Sequence, residues 1–247
     1  MNCSMYNYNN IVKCKHIIEI STRDIVIPII TIPLIDIFLC KVFGNKSRWF
    51  QLHSVINAIV LSIIWNDVLQ LFINPLIGIR DIESKIDGYF ILILHIYHIL
   101  ILKQLTFMDY FHHFLFVGGG VLPAIVFYNS NLTRIGWFAA SGLPGCIEYF
   151  CLSLVKHGKM NHILQKKINA YIYNYIRYPI TIYCPAITYT AYKYGLLINY
   201  NPYILIYVNL ILFINGGFYN KLTIENYISH KYKKNHSYNN LQEYHII

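Results

Sequence analysis

Long apolar runs separated by short polar segments dominate the chain. A helix that crosses a bilayer needs about 20 mostly apolar residues, and seven segments come close to that length. The third and fourth are joined by so few residues that we expect a tight helical hairpin. The pattern predicts an all-α polytopic membrane protein with about seven transmembrane helices. These cover approximately residues 25–43, 52–73, 86–102, 105–128, 135–155, 170–192 and 196–219.

The same pattern divides the chain into three regions. Residues 1–24 form a polar N-terminal segment that lacks the charged, apolar and small-residue sections of a signal peptide. Residues 25–219 form the multi-span domain. Residues 220–247 form a basic C-terminal tail.

Prolines and glycines predict interruptions in two spans. Pro28 and Pro33 predict that the first span is kinked or starts late, because proline removes a helical hydrogen bond. Gly142, Pro144 and Gly145 predict a break in the fifth span. A broken membrane helix leaves backbone polar groups that must face protein or a cavity, so this region is a candidate for a binding site.

The composition agrees with a membrane domain. Hydrophobic residues make up 56% of the chain and charged residues only 13%, whereas a soluble domain carries about 25% charged residues. The net charge of +9 is spread over short loops and the tail, and it does not form the clustered patch typical of nucleic-acid binding. We therefore expect membrane lipids as partners and no nucleic acid. The absence of a glycine-rich phosphate loop argues against a nucleotide-driven pump.

The distribution of lysine and arginine predicts an orientation. Seven cations precede the first span or lie in the loops on its side of the membrane, and twelve lie on the other side. The positive-inside rule then predicts a cytoplasmic C-terminus, with the endoplasmic reticulum or another internal membrane as the expected location. The twelve are Lys41, Lys46, Arg48, Lys103, Lys156, Lys159, Lys166, Lys167, Lys221, Lys231, Lys233 and Lys234.

Two pairs of histidines in neighbouring spans are the leading candidates for chemistry. His112 and His113 follow Asp109 by three and four residues, so the carboxylate is expected to reach and orient one imidazole. A histidine oriented by a carboxylate is the usual general base. His95 and His98 share a face of the preceding span, and the hairpin is expected to bring all four imidazoles together. Four histidines with Asp109 would also suit iron or zinc.

Three further ionisable residues lie inside predicted spans. Asp67, Glu148 and Arg177 are each functional candidates, because charged groups within a membrane usually mark a substrate or ion site. Arg177 is expected either to extend its guanidinium towards the membrane interface or to pair with Glu148 or with Asp67. Together with the histidines they also predict an alternative function, a small transporter or channel with an intramembrane path for protons or ions.

A segment of the chain resembles the TLC-domain family, which includes the ceramide synthases and the translocating-chain-associated proteins. The His112-His113 pair is followed by Asn131-Leu-Thr-Arg-Ile-Gly136, which is similar to the family's Asn-x-x-Arg-x-Gly element. The His-Asp pair of ceramide synthases would fall near Leu143-Pro144, where neither residue can replace it. The resemblance is therefore to the branch of the family outside the ceramide synthases. It implies a six-helix membrane barrel over about residues 52–218, preceded by one extra span.

Taken with the resemblance, these residues predict a membrane protein that binds, senses or modifies a long-chain lipid in an intramembrane cavity. An acyltransferase is the enzyme that the resemblance implies, with acyl-CoA as the donor. A transporter or channel and a metal-dependent lipid oxidase are the alternatives. No metal ligand and no resident cofactor is assigned. The candidate catalytic residues are His112, His113 and Asp109, and the candidate substrate-binding residues are His95, His98, Asn131, Arg134, Glu148, Asp67 and Arg177.

Overall fold

The computed structural model describes residues 21–101 and 105–243, and this part of the chain folds into seven helices. The predicted all-α fold class is confirmed. The N-terminal segment predicted for residues 1–24 lies almost entirely outside the described residues. The helices are α1 (Thr22–Phe43), α2 (Arg48–Ile73), α3 (Ile86–Ile101), α4 (Phe107–Phe127), α5 (Leu132–Lys156), α6 (residues 162–193) and α7 (Pro202–Glu243).

Five of these helices are long and apolar enough to cross a bilayer, namely α1, α2, α4, α5 and the first 31 residues of α7. The described part of α3, Ile86–Ile101, is apolar and has 16 residues, about 24 Å at the usual rise per residue, so it is shorter than these five. The protein is a multi-pass integral membrane protein, as the apolar pattern predicts.

The interruptions and some boundaries differ from those predicted. Helix α1 begins at Thr22 and is continuous through Pro28 and Pro33, and α5 continues through Gly142, where the sequence predicts a break. Gly195, with φ of 76°, ends α6 in turns that run to residue 200, so α7 begins later than expected. Helix α7 then continues past residue 219, and the predicted tail is helical as far as Glu243.

Three helices contain a wider π-helical stretch, and each stretch ends two residues before a proline. Proline lacks an N–H group, and its ring clashes with the carbonyl of the preceding turn, so a wider turn before it relieves the conflict. Such stretches are frequent at functional sites. They are His112–Val121 before Pro123, Phe138–Gly142 before Pro144, and Tyr173–Arg177 before Pro179.

Glycines allow several helices to approach one another closely. A Cβ atom on Gly120 of α4 would lie 2.9 Å from Cγ2 of Ile211 on α7. A Cβ atom on Gly145 of α5 would lie 2.5 Å from Nδ2 of Asn57 on α2. Small residues at helix contacts are typical of membrane bundles, because van der Waals packing drives association there.

A buried acid, Asp36, connects helix α1 to the rest of the bundle. Asp36 is fully buried, and Nε of Arg48 at the start of α2 donates to its Oδ1 at 2.8 Å. The hydroxyl of Tyr97 on α3 donates to Oδ2 at 2.7 Å. This intramembrane acid therefore has a structural role, which connects α1 to α2 and α3.

Candidate functional site

A chamber of about 440 Å³ lies among the helices, a size within the usual range for ligand sites. Its wall receives residues from each of α2 to α7 and none from α1. This arrangement is the one that six core helices and one extra helix would give. The ionisable residues in the wall are His53, His95, His98, His112, His113, Asp109, Glu148 and Arg177, together with the phenols of Tyr149, Tyr173 and Tyr219.

Five of these side chains form what we call the histidine cluster: His53, His95, His98, His112 and His113. Their neighbouring ring centroids are 5.0 to 5.8 Å apart. The structure brings together the four histidines of α3 and α4, as the hairpin predicts, and adds a fifth from α2. His53 did not figure among the sequence candidates. Its one sequence signal is the polar residue Asn57 one turn later on the same helix face, and Asn57 also lines the chamber.

Hydrogen bonds fix the tautomers of two rings. Nδ1 of His95 lies 2.7 Å from the carbonyl oxygen of Ile91, which can only accept, so Nδ1 carries the proton. In the neutral ring Nε2 of His95 is then an acceptor, and Nε2 of His112 donates to it at 3.1 Å. Nδ1 of His112 consequently accepts from the hydroxyl of Tyr219 at 2.9 Å. Both nitrogens of both rings are therefore occupied.

The other three rings keep free nitrogens. Nδ1 of His53, of His98 and of His113 is buried and has no hydrogen-bond partner among the described residues. Trp49 packs against His98 and His53, with ring centroids 3.5 and 4.0 Å apart. A buried polar atom without a partner costs about 1–3 kcal/mol. All three rings line the chamber, although these Nδ1 atoms are themselves enclosed by protein.

Asp109 does not orient either neighbouring imidazole, contrary to the prediction. Its Oδ2 accepts from the backbone N–H and the hydroxyl of Thr106, both at 2.7 Å. Thr106 in turn accepts from the backbone N–H of Asp109, which completes a capping box at the start of α4. The capping contacts with Thr106 occupy the carboxylate of Asp109, so it does not bond the imidazoles further along the helix. Asp109 contributes only part of the chamber wall.

Glu148 and Arg177 do not form an ion pair with each other, so this alternative for Arg177 is not found. Oε1 of Glu148 accepts from Nδ2 of Asn169 at 2.9 Å, and the hydroxyl of Tyr173 donates to Oε2. Arg177 donates from Nη2 to Oδ1 of Asn215 at 2.6 Å. Both charged side chains still line the chamber.

Asp67 and Arg134 lie outside the chamber, at the other end of the bundle. Asp67 is 14 residues after His53 on α2, about 21 Å along the helix. Arg134 forms an ion pair with Asp67, and its Nε donates to Asp87 at 3.2 Å. Arg80 donates to the other oxygen of Asp67 at 2.5 Å. The structure gives these charges a role in joining α2, α3 and α5.

Asn131 belongs to the same end of the molecule and is fully buried. Its Nδ2 donates to the carbonyl of Gly78 at 2.8 Å, and its Oδ1 accepts from the backbone N–H of Arg80 at 3.1 Å. Nearby, burial lowers the pKa of Lys85, whose Nζ donates to the carbonyl of Ile125 at 2.6 Å. The Asn-x-x-Arg-x-Gly element thus binds the helix connections at this end of the bundle, and it does not line the chamber.

The geometry does not provide a metal site. Among the described residues, no group of three or more His, Cys, Asp or Glu side chains is arranged to hold a metal ion. The five histidine rings lie close together, but both nitrogens of His95 and of His112 are already hydrogen-bonded. Their partners are the Ile91 carbonyl, the Tyr219 hydroxyl and each other. The alternative of a metal-dependent oxidase on four histidines and Asp109 therefore gains no support.

An apolar pocket of about 60 Å³ adjoins the chamber. It lies between α4, α5, α6 and α7, and its wall includes Gly120, Ala124, Cys184 and Leu212. The pocket and the chamber share five wall residues and therefore lie side by side. The shared residues are Phe116, Val121, Trp137, Ala140 and Asn215.

The chamber lies towards the membrane face that carries most of the cations, which we call the basic face. Ser47 before α2 contacts His157 after α5, with Oγ 2.8 Å from Nε2, so both connections lie at this face. His53 is five residues from the start of α2, and His98 is three residues from the end of α3. At 1.5 Å per residue these rings are less than about 8 Å from the helix ends, whereas Gly120 and Ala124 are deeper.

Comparison of the chain with models of protein families, with curated proteins and with solved structures finds no significant match.

Proposed function

We propose that this integral membrane protein binds a long-chain lipid, with the headgroup against the histidine cluster and the chain directed into the apolar pocket. The observation that carries the proposal is the order of the two cavities along the membrane normal. The polar chamber lies near the basic face, and the apolar pocket lies deeper. A lipid in the leaflet at the basic face likewise has its polar headgroup near that face and its apolar chain deeper in the membrane.

Two features of the wall support a ligand site. All three π-helical stretches contribute to it, through His112 and His113, through Ser141, and through Tyr173 and Arg177. Such stretches are concentrated at functional sites. The apolar pocket is small, so it accommodates the first part of a chain, and the remainder would lie against the lipid-facing surfaces of α4 and α7.

The proposal agrees with the resemblance to the TLC-domain family, which implies a membrane barrel of six helices and a function in lipid metabolism. The positive-inside rule assigns the basic face to the cytoplasm. The lipid would then enter from the cytoplasmic leaflet of the endoplasmic reticulum or another internal membrane. A continuous ion path through Asp67 and the histidine cluster is less well supported, because Asp67 is bound in a separate ion-pair network.

Acyl transfer is the second candidate, and the free nitrogen of His113 favours it. Nδ1 of His113 has no protein partner among the described residues, and once the ring turns this enclosed atom towards the chamber it would accept a proton from a lipid hydroxyl or amine. The nucleophile would attack a thioester carbonyl, and the proton would pass to the departing thiolate. Acyl-CoA is the donor that the resemblance implies. His112, with both nitrogens occupied, would position the neighbouring ring and not act as the base.

Lipid analysis of the purified protein tests the binding proposal. We expect one class of long-chain lipid to be enriched with the wild-type protein. Its amount should fall at least about fivefold in the His112→Ala/His113→Ala double variant, because the headgroup contacts are lost. His162→Ala, which removes an exposed histidine, is the matched control and should retain the lipid. Equal lipid content in all three proteins would contradict the proposal.

Membranes that contain the same protein test the acyl-transfer candidate. With labelled acyl-CoA, His113→Ala should abolish incorporation of label into lipid. His112→Ala should reduce it and leave a measurable rate, because that ring acts only through its neighbour. Incorporation that is equal in wild type and His113→Ala would exclude His113 as the base.

A further inference from the structure

Arg177 is a buried guanidinium with few protein partners. The residue is 4% exposed, and Nη2 donates to Asn215, but Nε has no hydrogen-bond partner among the described residues. No described carboxylate lies within ion-pair distance of it. A guanidinium has five N–H donors, so most of its capacity is unused. An unpaired charge within a membrane domain is costly and usually marks a functional site.

The surroundings stabilise the charge of Arg177 without using its donors. Cζ lies 4.5 Å from the ring centroid of Tyr173 and 5.2 Å from that of Tyr219, both within the range of cation–π attraction. The hydroxyl of Tyr173 donates to Glu148, and the face of its ring packs against Arg177. The carboxylate of Glu148 is thereby occupied by Tyr173 and Asn169, and the guanidinium remains open to the chamber.

The histidine cluster offers further donors. Among the described residues His53, His98 and His113 each have an unpaired Nδ1 atom, and every neutral imidazole has one N–H group to give. The two carboxylates of the wall already accept hydrogen bonds, Glu148 from Asn169 and Tyr173 and Asp109 from Thr106. The groups of the wall that keep unused donors are thus a cation and several imidazoles, and they match a ligand that is rich in acceptor oxygens and carries negative charge.

We infer that the lipid headgroup in the chamber is an anion, a carboxylate or a phosphate, held by the guanidinium of Arg177 and by imidazole N–H groups of the histidine cluster. This inference rests on the proposed function and adds the chemical class of the headgroup. Arginine binds both oxyanions through paired hydrogen bonds. A neutral alcohol would leave the charge of Arg177 unpaired, and an ammonium group would be repelled by it.

Binding of single-chain probes to the purified full chain tests the headgroup class. The probes are hexadecyl phosphate, palmitate, hexadecanol and hexadecylamine, with inorganic phosphate and acetate as anions without a chain. We expect the two anionic lipids to bind at least about tenfold more tightly than hexadecanol, because hydrogen bonds to charged groups are the stronger ones. Phosphate and acetate should bind far more weakly, because they lack the chain.

Variants of Arg177 assign the preference to this residue. Arg177→Gln should bring the affinities for hexadecyl phosphate and hexadecanol to within about threefold of each other. Arg177→Lys should keep part of the preference, because it retains the charge without the paired donors. Lys193→Gln removes a cation near the end of the same helix and should keep the full preference. If Arg177→Gln does not fold, the wild-type ratios and Arg177→Lys decide the question.

The outcomes separate this inference from the proposed function. Equal or tighter binding of hexadecanol or hexadecylamine by the wild-type protein would overturn the anionic headgroup and leave lipid binding intact. No binding of any hexadecyl probe would refute the proposed function itself. If inorganic phosphate bound as tightly as hexadecyl phosphate, the site would take a free anion. That result would overturn the proposal that the ligand is a lipid.

Discussion

Nε2 of His95 lies 3.1 Å from Nε2 of His112, and this contact joins α3 to α4 inside the chamber. Because the carbonyl of Ile91 fixes the proton of His95 on Nδ1, the direction of the whole hydrogen-bond chain is determined. The proton of His112 lies on Nε2, and the hydroxyl of Tyr219 on α7 donates to its Nδ1. Three helices thus hold one imidazole in one tautomer.

Replacing Tyr219 with Phe should remove one hydrogen bond and leave the tautomer of His112 unchanged. The ring of Phe keeps the packing against Arg177, but Nδ1 of His112 loses its donor, while Nε2 still donates to His95. We expect nitrogen NMR of histidine-labelled protein to show a shifted Nδ1 resonance with the proton of His112 still on Nε2, and the free energy of unfolding to fall by about 1 kcal/mol. Tyr232→Phe, at an exposed position on the same helix, should change neither the resonance nor the stability. A mixture of His112 tautomers in Tyr219→Phe would show that the contact with His95 does not fix the proton.

The ion-pair network at the other end of the bundle should contribute to stability and not to binding. Asp67→Asn leaves Arg134, which is mostly buried, with a weaker partner. Breaking a buried ion pair costs about 3–5 kcal/mol, so denaturant unfolding should show a loss of that order, with lipid affinity unchanged in the folded fraction. Glu225→Gln, in the exposed pair with Lys221, should cost at most about 0.5 kcal/mol. A comparable small loss for both variants would mean that the network is not structural.

The sequence predicts the architecture well because membrane helices are recognisable from apolar length alone. It also predicts the convergence of His95, His98, His112 and His113, since a short connection forces two neighbouring helices into a hairpin. His53 could not be assigned in this way, because the packing of α2 against α3 and α4 is a long-range property.

Local competition and distant partners explain the remaining errors. Asp109 has the spacing to reach an imidazole, but the cap with Thr106 is nearer and takes the carboxylate. An acidic partner is one of the two alternatives that the sequence offers for Arg177, whereas its hydrogen bond goes to Asn215, 38 residues away on another helix. The π-helical stretches were not predicted, although the prolines that follow them, Pro123, Pro144 and Pro179, are a local signal that could have indicated them.

The close contact of α4 and α7 makes Gly120 sensitive to added volume. A Cβ atom there would lie 2.9 Å from Ile211, so Gly120→Ala should lower the free energy of unfolding by about 1–3 kcal/mol. The second change Ile211→Ala should restore part of the loss, because it removes the clashing group. Gly118→Ala places its Cβ no closer than 3.5 Å to any neighbour, and we expect no loss of stability. Equal effects at Gly118 and Gly120 would argue against the close helix contact.

The leaflet from which lipid enters depends on which side the basic face occupies. The connection between α5 and α6 and the adjoining helix ends carry four lysines, Lys156, Lys159, Lys166 and Lys167, and each cation near an anionic cytoplasmic surface contributes about 1 kcal/mol. Lys159 is exposed in this connection, and Tyr194 is 71% exposed at the opposite end. In cells whose plasma membrane alone is permeabilised, a membrane-impermeant maleimide should label Lys159→Cys above the background of the native cysteines. Tyr194→Cys should react only after the internal membranes are opened. The reverse pattern would place the chamber at the lumenal leaflet, and the wild-type chain, treated identically, supplies the background in both conditions.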